Sequence, residues 1–494
     1  MHDAHRCIRI PVTAACVFAL AACSAESRDM TGGPTGIQTM PVVPATVNAT
    51  VGSALSVLQA RVTVDAVGAD SVRVVYQAGN GVAQATPFRT PRTSSDTILV
   101  LGLHAKTLYT YYVEALTAGV SQRSPAGTFT TAALPGQLDN VRLQQISGVQ
   151  HHDVATGVTT GDGGYAVIFD STGALVWYRD FTDTKMTVSN VLMQPNGNIT
   201  AFIGNTSGWQ PADGYYVEMS PAGEILQTYR APPGSYMDDH DFLITGGGDT
   251  RQLHYFTYTI RQMDLSPIGL GTNVATAGHQ VRRESAAGLD FTWDAWDHFT
   301  ITDWIGDAAA KATRGNSTDY DHPNALTFDN SGNYVVSWRN LDQVTAIDPN
   351  NGNVLWRLGG KNSDFTFVND PLNGFTKQHS VKVLANGDIL LFDNGTDHTP
   401  AQSRAVEYKL DFATMTATMV WESRHTPTLV ATYVGWVDRF TNGNTWVAYS
   451  FFGRAVEVDA ASNVVWEGQL VVNGNTPVAY RMVPVTSLYR YVKP

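Results

Sequence analysis

From about residue 138 onward the chain repeats itself, and the length of that repeat restricts the fold more than any other feature. One unit reads DHPNALTFDNSGNYVVSWRNLDQVTAIDPNNGNVLWRLG (321–359), and the next QHSVKVLANGDILLFDNG…RAVEYKLDFATMTATMVWE (378–422). Others occupy 435–467, 189–230 and, in diverged form, 238 to about 299. Their turn glycines, Gly197, Gly248, Gly332, Gly387 and Gly443, are spaced by 51, 84, 55 and 56 residues. Each unit holds four short strand-like runs joined by Asn-Gly or Asp-Gly type turns, which is the pattern of a propeller blade. The spacing predicts an all-β chain with a six-bladed β-propeller over 138–494, seven or eight blades being the alternatives. The long interval predicts an insertion at about 262–288, lying over one face. Residues 164–179 and a strand within 480–489 are expected to build the sixth blade jointly, so that no sheet edge stays open.

Ahead of the repeats, residues 41–135 alternate in short strands such as Val72-Arg73-Val74-Val75-Tyr76. The stretch LHAKTLYTYYVEA resembles the tyrosine-corner region of fibronectin type III domains, with Tyr109 as the corner tyrosine. The resemblance implies an N-terminal β-sandwich acting as a spacer. Residues 1–22 carry a weakly basic start and a short apolar run ending in Leu20-Ala21-Ala22-Cys23. That run suits a signal peptide and resembles a bacterial lipobox, which implies cleavage and lipidation at Cys23. Residues 23–40 then read as a flexible tether, and the chain as exported and lipid-anchored to the cell envelope, with no other membrane contact.

A formal charge of −12 argues against nucleic acid as a partner. All three cysteines, Cys7, Cys16 and Cys23, precede the folded region, so neither disulfides nor a thiol nucleophile operate there.

Chemistry enters through three histidines in register. His240, His322 and His379 precede their turn glycines by 8, 10 and 8 residues, at the start of the first strand of successive units. First strands of blades line one channel, so the three imidazoles converge on one mouth. Arg339, in SWRN, adds a fixed cation, and Asn324 lies two residues beyond His322 on the same strand face. Tyr480 and His298 are further candidates for contact with a ligand at that mouth. His151-His152-Asp153 falls at the junction ahead of the repeats. Trp177, Trp356, Trp421 and Trp466 end outer strands and read as packing between blades.

The succession DDHDFL, DHPN with SWRN, and QHSVKVLANGDILLFDNG resembles the bacterial aryl-sulfate sulfotransferases that dispense with a nucleotide sulfate donor. The resemblance implies a sandwich followed by a six-bladed propeller, an aryl sulfate and a phenol as substrates, and no cofactor or metal. It implies His379 as the transiently sulfated nucleophile. His240, His322 and Arg339 would hold the sulfuryl and bridging oxygens, with Asn324 in support. The chemistry fits, since sulfuryl transfer passes through a loose, anionic transition state that fixed cations stabilise. Two other readings stay open at this point: a non-catalytic envelope scaffold, and a metal-dependent hydrolase using the three histidines as ligands. The oligomeric state, a homodimer included, is not legible.

Overall fold

The structure is a computed structural model and describes residues 46–489, apart from 52–54, 67, 93–94, 162, 206–213, 305–312, 315–316 and 486. The signal sequence, Cys23 and the tether lie outside the described residues. Regular structure there is all β, with only short 3-10 turns between strands. None of the helices is long and apolar enough to cross a membrane.

Two sheets form within the first ninety residues described. Thr46–Val51, Ala60–Asp65 and Asp96–Val100 make a three-stranded sheet. Ser71–Ala78 and Leu108–Thr117 centre a five-stranded one. Val62, Val64 and Ile98 of the first sheet share one core with Val74, Tyr109 and Val113 of the second. The Tyr109 hydroxyl accepts a hydrogen bond from the His104 backbone at 2.8 Å, the link expected of a corner tyrosine.

Six sheets of four or more strands follow in chain order. The first combines Asp153–Thr160, Gly163–Phe169 and Leu175–Asp180 with the C-terminal strand Val483–Val485. The second runs from Thr187–Met193 to Ile225–Tyr229, and the fourth from Pro323–Phe328 to Val354–Gly359. In the fifth, His379–Val383 and Thr416–Arg424 bound an antiparallel ladder of four, to which Thr366–Val368 adds in parallel. The sixth, from Trp436–Arg439 to Val464–Val472, recruits Val141–Gly148 as an outer strand. The sixth and first sheets thus each borrow a strand from the far end of the chain. The sequence reading missed the Val141–Gly148 exchange.

The turn glycines have the backbone their position demands: Gly197, Gly332, Gly387 and Gly443 all sit near φ +84 to +90°, where a side chain would be strained. The predicted insertion is corrected by the third sheet. Residues 262–288 contain the end of strand Gln252–Met263 and all of Val274–Ser285, which pair antiparallel over twelve residues. The repeat lengthens because this hairpin is long, not because it leaves the sheet. Most remaining excess lies after Asp294, in 3-10 turns and in Ser317–Asp319, which joins Val274–Ser285 in parallel through Thr276 and Thr318. That parallel pairing brings Asp319 to the sheet carrying His279.

Every apolar core lies between neighbouring sheets. Trp177 and Val217 join the first and second, Tyr216 and Phe242 the second and third, and Trp293 and Trp338 the third and fourth. Val335 with Val406 and Phe392 with Val447 continue the series, and Trp446 with Tyr165 joins the sixth back to the first. Each large apolar side chain so buried contributes about 1.5–3 kcal/mol. Tryptophans also latch neighbours by hydrogen bonds: Trp177 Nε1 to the Pro221 carbonyl at 2.8 Å, Trp293 Nε1 to Gly352 at 2.9 Å, and Trp421 Nε1 to Ala460 at 3.1 Å.

Candidate active site

The strand at one edge of each of the six sheets begins at the wall of a common cavity of about 660 Å³. Ser189, His240, His322, His379, Val434 and Tyr480, one from the head of each of those strands, all line it. Arg339, Asp239 and Asp319 complete its polar wall, while Val158, Val188, Tyr433, Pro477 and Val478 supply an apolar one. Residues nearly three hundred positions apart therefore face one space.

Local irregularity aims these side chains. Four of the edge strands slip register where they meet the cavity, between Ser189 and Leu192, Met237 and Phe242, Pro323 and Ala325, and His379 and Lys382. Such bulges turn a side chain out of the pleat. His322 itself sits at φ +51° and Ser380 at +55°, conformations that cost energy and persist only where packing imposes them.

His379 is buried, and its Nδ1 lies 2.7 Å from Asn394 Oδ1 and 3.2 Å from the Lys377 carbonyl. The Asn394 amide nitrogen donates to the Ala431 and Val434 carbonyls at 2.7 and 2.9 Å, which settles which end of that amide faces the histidine. Nδ1 therefore carries the proton, and Nε2 holds a free lone pair. Burial, and next the charge of Arg339, hold the His379 pKa well below the ordinary histidine value.

His240 and His322 are mounted differently. His240 Nδ1 is 2.7 Å from Asp238 Oδ1, and His322 Nδ1 bonds Asp319 Oδ2. Their ring centroids are 4.8 Å apart. Behind Nδ1 of each stands a carboxylate, where His379 has a neutral amide oxygen, so the three rings are mounted on unlike partners.

Arg339 donates to Asn340 Oδ1 at 2.9 Å and to the Thr432 carbonyl at 3.1 Å, both uncharged oxygens. Its Nε has no hydrogen-bond partner among the described residues. Asp319, Asp342 and Asp397 act on it only as more distant charges. Tyr480 packs edge-on to His240 at 5.7 Å, and its buried hydroxyl also lacks a partner among the described residues. Burial raises that hydroxyl's pKa above the usual tyrosine value, so it is a donor.

The remaining candidates lie elsewhere. Asn324 is fully buried behind the wall, donating to the Gln378 carbonyl at 2.6 Å, and so steadies the residue before His379 rather than facing the cavity. His298 is half-buried and stacks on Trp293, a residue of the core between the third and fourth sheets, with centroids 4.2 Å apart; it does not line the cavity. His152 stacks on Phe440 at 4.0 Å. Sequence reasoning missed Asn394, Asp238 and Asp319. Arg481, which with Tyr480 read from the sequence as able to reach the channel, is buried; it bridges Asn190 Oδ1 and the Asn324 carbonyl, each at 2.8 Å, and pairs with Asp241. A signal existed for the carboxylates, since an aspartate precedes His240 by two residues and His322 by three, while none stands just ahead of His379.

Two sets of ligand-type atoms lie close enough together for a metal ion among the described residues, Asp238–Asp239–His240 and His279–Asp319–Asp321. In each, the histidine Nδ1 is already committed to a carboxylate. Of the three cavity histidines only His240 belongs to either set, and the three do not form one together among the described residues.

Among solved structures, a Bacteroides caccae protein of unknown function shares 15% identity with a TM-score of 0.42, over 69% of this chain and all of its own. A streptogramin B lyase shares 11% identity with a TM-score of 0.35, over 67% of this chain and 88% of its own. Likeness at this level carries no functional argument. No curated protein matches the chain. The model of the arylsulfotransferase (ASST) family, however, matches residues 222–471, a span that includes His240, His322, Arg339, His379 and Asn394. The chain belongs to the arylsulfotransferase family.

Proposed function

We propose that the chain moves a sulfuryl group from an aryl sulfate to a phenolic acceptor through a covalent sulfohistidine at His379. The observation carrying this reading is the His379–Asn394 pair, which presents an uncharged Nε2 lone pair to a cavity that Arg339, Tyr480, His240 and His322 also line. In the first half-reaction Nε2 attacks sulfur and the S–O bond to the aryl group breaks. Arg339, the Tyr480 hydroxyl and the Nε2–H groups of His240 and His322 receive the negative charge on the sulfuryl and leaving oxygens. One of those two imidazolium groups gives its proton to the departing phenolate. In the second, the same imidazole takes the acceptor phenol's proton, the phenolate oxygen attacks sulfur, and the S–N bond breaks to restore neutral His379. A loose transition state needs positioned cations more than covalent assistance, and this wall supplies them.

The same reading takes the six sheets as blades of one propeller, because the sixth packs on the first and exchanges strands with the chain's other end. It takes the two N-terminal sheets as a fibronectin-like sandwich, supported by their shared core and the Tyr109–His104 bond. Export and lipidation at Cys23 are proposed from the Leu20–Cys23 signal alone. The test mixes a nitrophenyl sulfate with and without a phenol. Nitrophenol release that depends on the phenol, and survives chelators, supports transfer. Release at the same rate without acceptor would make the chain a sulfatase and overturn the proposal.

A further inference from the structure

Behind the cavity wall lies a histidine that the reaction does not touch. His279, on Val274–Ser285, is completely buried. Its Nδ1 is 2.5 Å from Asp321 Oδ1, its backbone nitrogen donates to Asp321 Oδ2 at 3.0 Å, and its Nε2 is 3.4 Å from Asp238 Oδ2. The Tyr258 ring, on the paired strand, covers one side with centroids 5.4 Å apart. Asp319 completes the groups around it.

Both carboxylates that His279 touches do a second task. Asp238 Oδ1 accepts from Nδ1 of His240 at 2.7 Å and from its backbone nitrogen at 2.9 Å. Asp321 Oδ1 accepts from the His322 backbone nitrogen at 2.9 Å, holding that residue in its left-handed conformation. His279 thus links the mounts of the two donor histidines, which come from different sheets. An imidazole with a carboxylate oxygen at each ring nitrogen satisfies both only when both nitrogens carry protons. Three carboxylates packed this closely out of water also require nearby positive charge. His279 is the side chain placed among Asp238, Asp319 and Asp321.

We infer that His279 is a positioning residue, a permanently protonated imidazolium joining Asp238 to Asp321 so that His240 and His322 stay oriented and tuned as proton donors. It rests on the sulfuryl-transfer reading for its effect on turnover, though not for its charge. With the cation gone, Asp238 and Asp319 would hold the protonated forms of His240 and His322 more tightly, making them weaker acids. His279→Gln, which keeps polar contact without charge, is the test. Turnover is expected to fall about 10–100-fold, as on loss of an orienting partner, with the KM for the aryl sulfate nearly unchanged. The alkaline limb of the pH profile should move upward by roughly half a unit to one unit, and the acid limb should stay. A variant with both limbs in place, or one whose loss of turnover follows only its folded fraction, would overturn the inference. Nitrogen-15 NMR of the wild-type histidines decides the charge even where the variant does not fold or no transfer is detected. A buried ring that stays doubly protonated from about pH 6 to 9 supports it, and a neutral His279 ring in that range overturns it.

Discussion

Asn394 Oδ1 lies 2.7 Å from Nδ1 of His379, and the same asparagine is pinned by two carbonyls through its amide nitrogen. This single contact sets which nitrogen of the histidine faces the cavity. Asn394→Ala is expected to lower turnover by about 10–100-fold while the KM changes little. It should also lower stability by about 1–3 kcal/mol, because the Ala431 and Val434 carbonyls lose a buried donor. Steady-state kinetics and thermal melts on the variant check both.

Arg339 is a cause of the lowered His379 pKa, and in the proposed transfer it is also the fixed cation beside the sulfuryl group. His379 must be uncharged to attack, and a depressed pKa keeps it so below the usual histidine value, so activity should persist at pH 6. Removing the guanidinium in Arg339→Gln lets the His379 pKa rise, and the acid limb should shift to higher pH. A loss in kcat/KM of about 10²–10³-fold should accompany it. The pH dependence of kcat/KM reads both.

Tyr480 offers the opposite pattern to Asn394. Its hydroxyl is buried without a partner among the described residues, so the fold gains nothing from it. Tyr480→Phe should leave the melting temperature unchanged or slightly higher. The kcat/KM should fall about tenfold, the value of one lost hydrogen bond. A fall in stability matching the fall in activity would argue for a structural role instead.

Asp153, at the junction with the N-terminal sheets, has its carboxyl pushed up to about 7 by burial and then by Asp170. The folded protein holds that proton more tightly than the unfolded chain does. Stability is therefore lost as pH rises from about 4 to 7, and the loss persists above. Asp153→Asn should raise stability at pH 8 by about 1–3 kcal/mol and have little effect at pH 4. Denaturant melts at the two pH values test the sign.

The repeats made much of this legible. Asn-Gly turns and alternating strands announced the sheets, and three histidines in register announced a shared wall, because backbone period and turn chemistry are local. What escaped was tertiary. The parallel pairing of Thr276 with Thr318, which carries Asp319 to His279, follows no local pattern. Asn394 is fifteen residues from His379 and meets it across the paired strand, with nothing in the sequence to mark it as a partner. His298 read as a mouth residue because it adjoins an aspartate, yet it stacks on the flat face of Trp293, away from the cavity. The long twelve-residue hairpin read as an insertion because period alone cannot distinguish a longer strand from an added loop.

The account turns on a covalent bond between sulfur and His379. Intact and peptide mass spectrometry of the protein mixed with a nitrophenyl sulfate, acceptor withheld, tests this directly. A single sulfuryl group on the peptide containing His379, discharged when phenol is added and missing from His379→Ala, is the predicted result. Phenol-dependent transfer that proceeds undiminished in His379→Ala, with no labelled histidine, would contradict it.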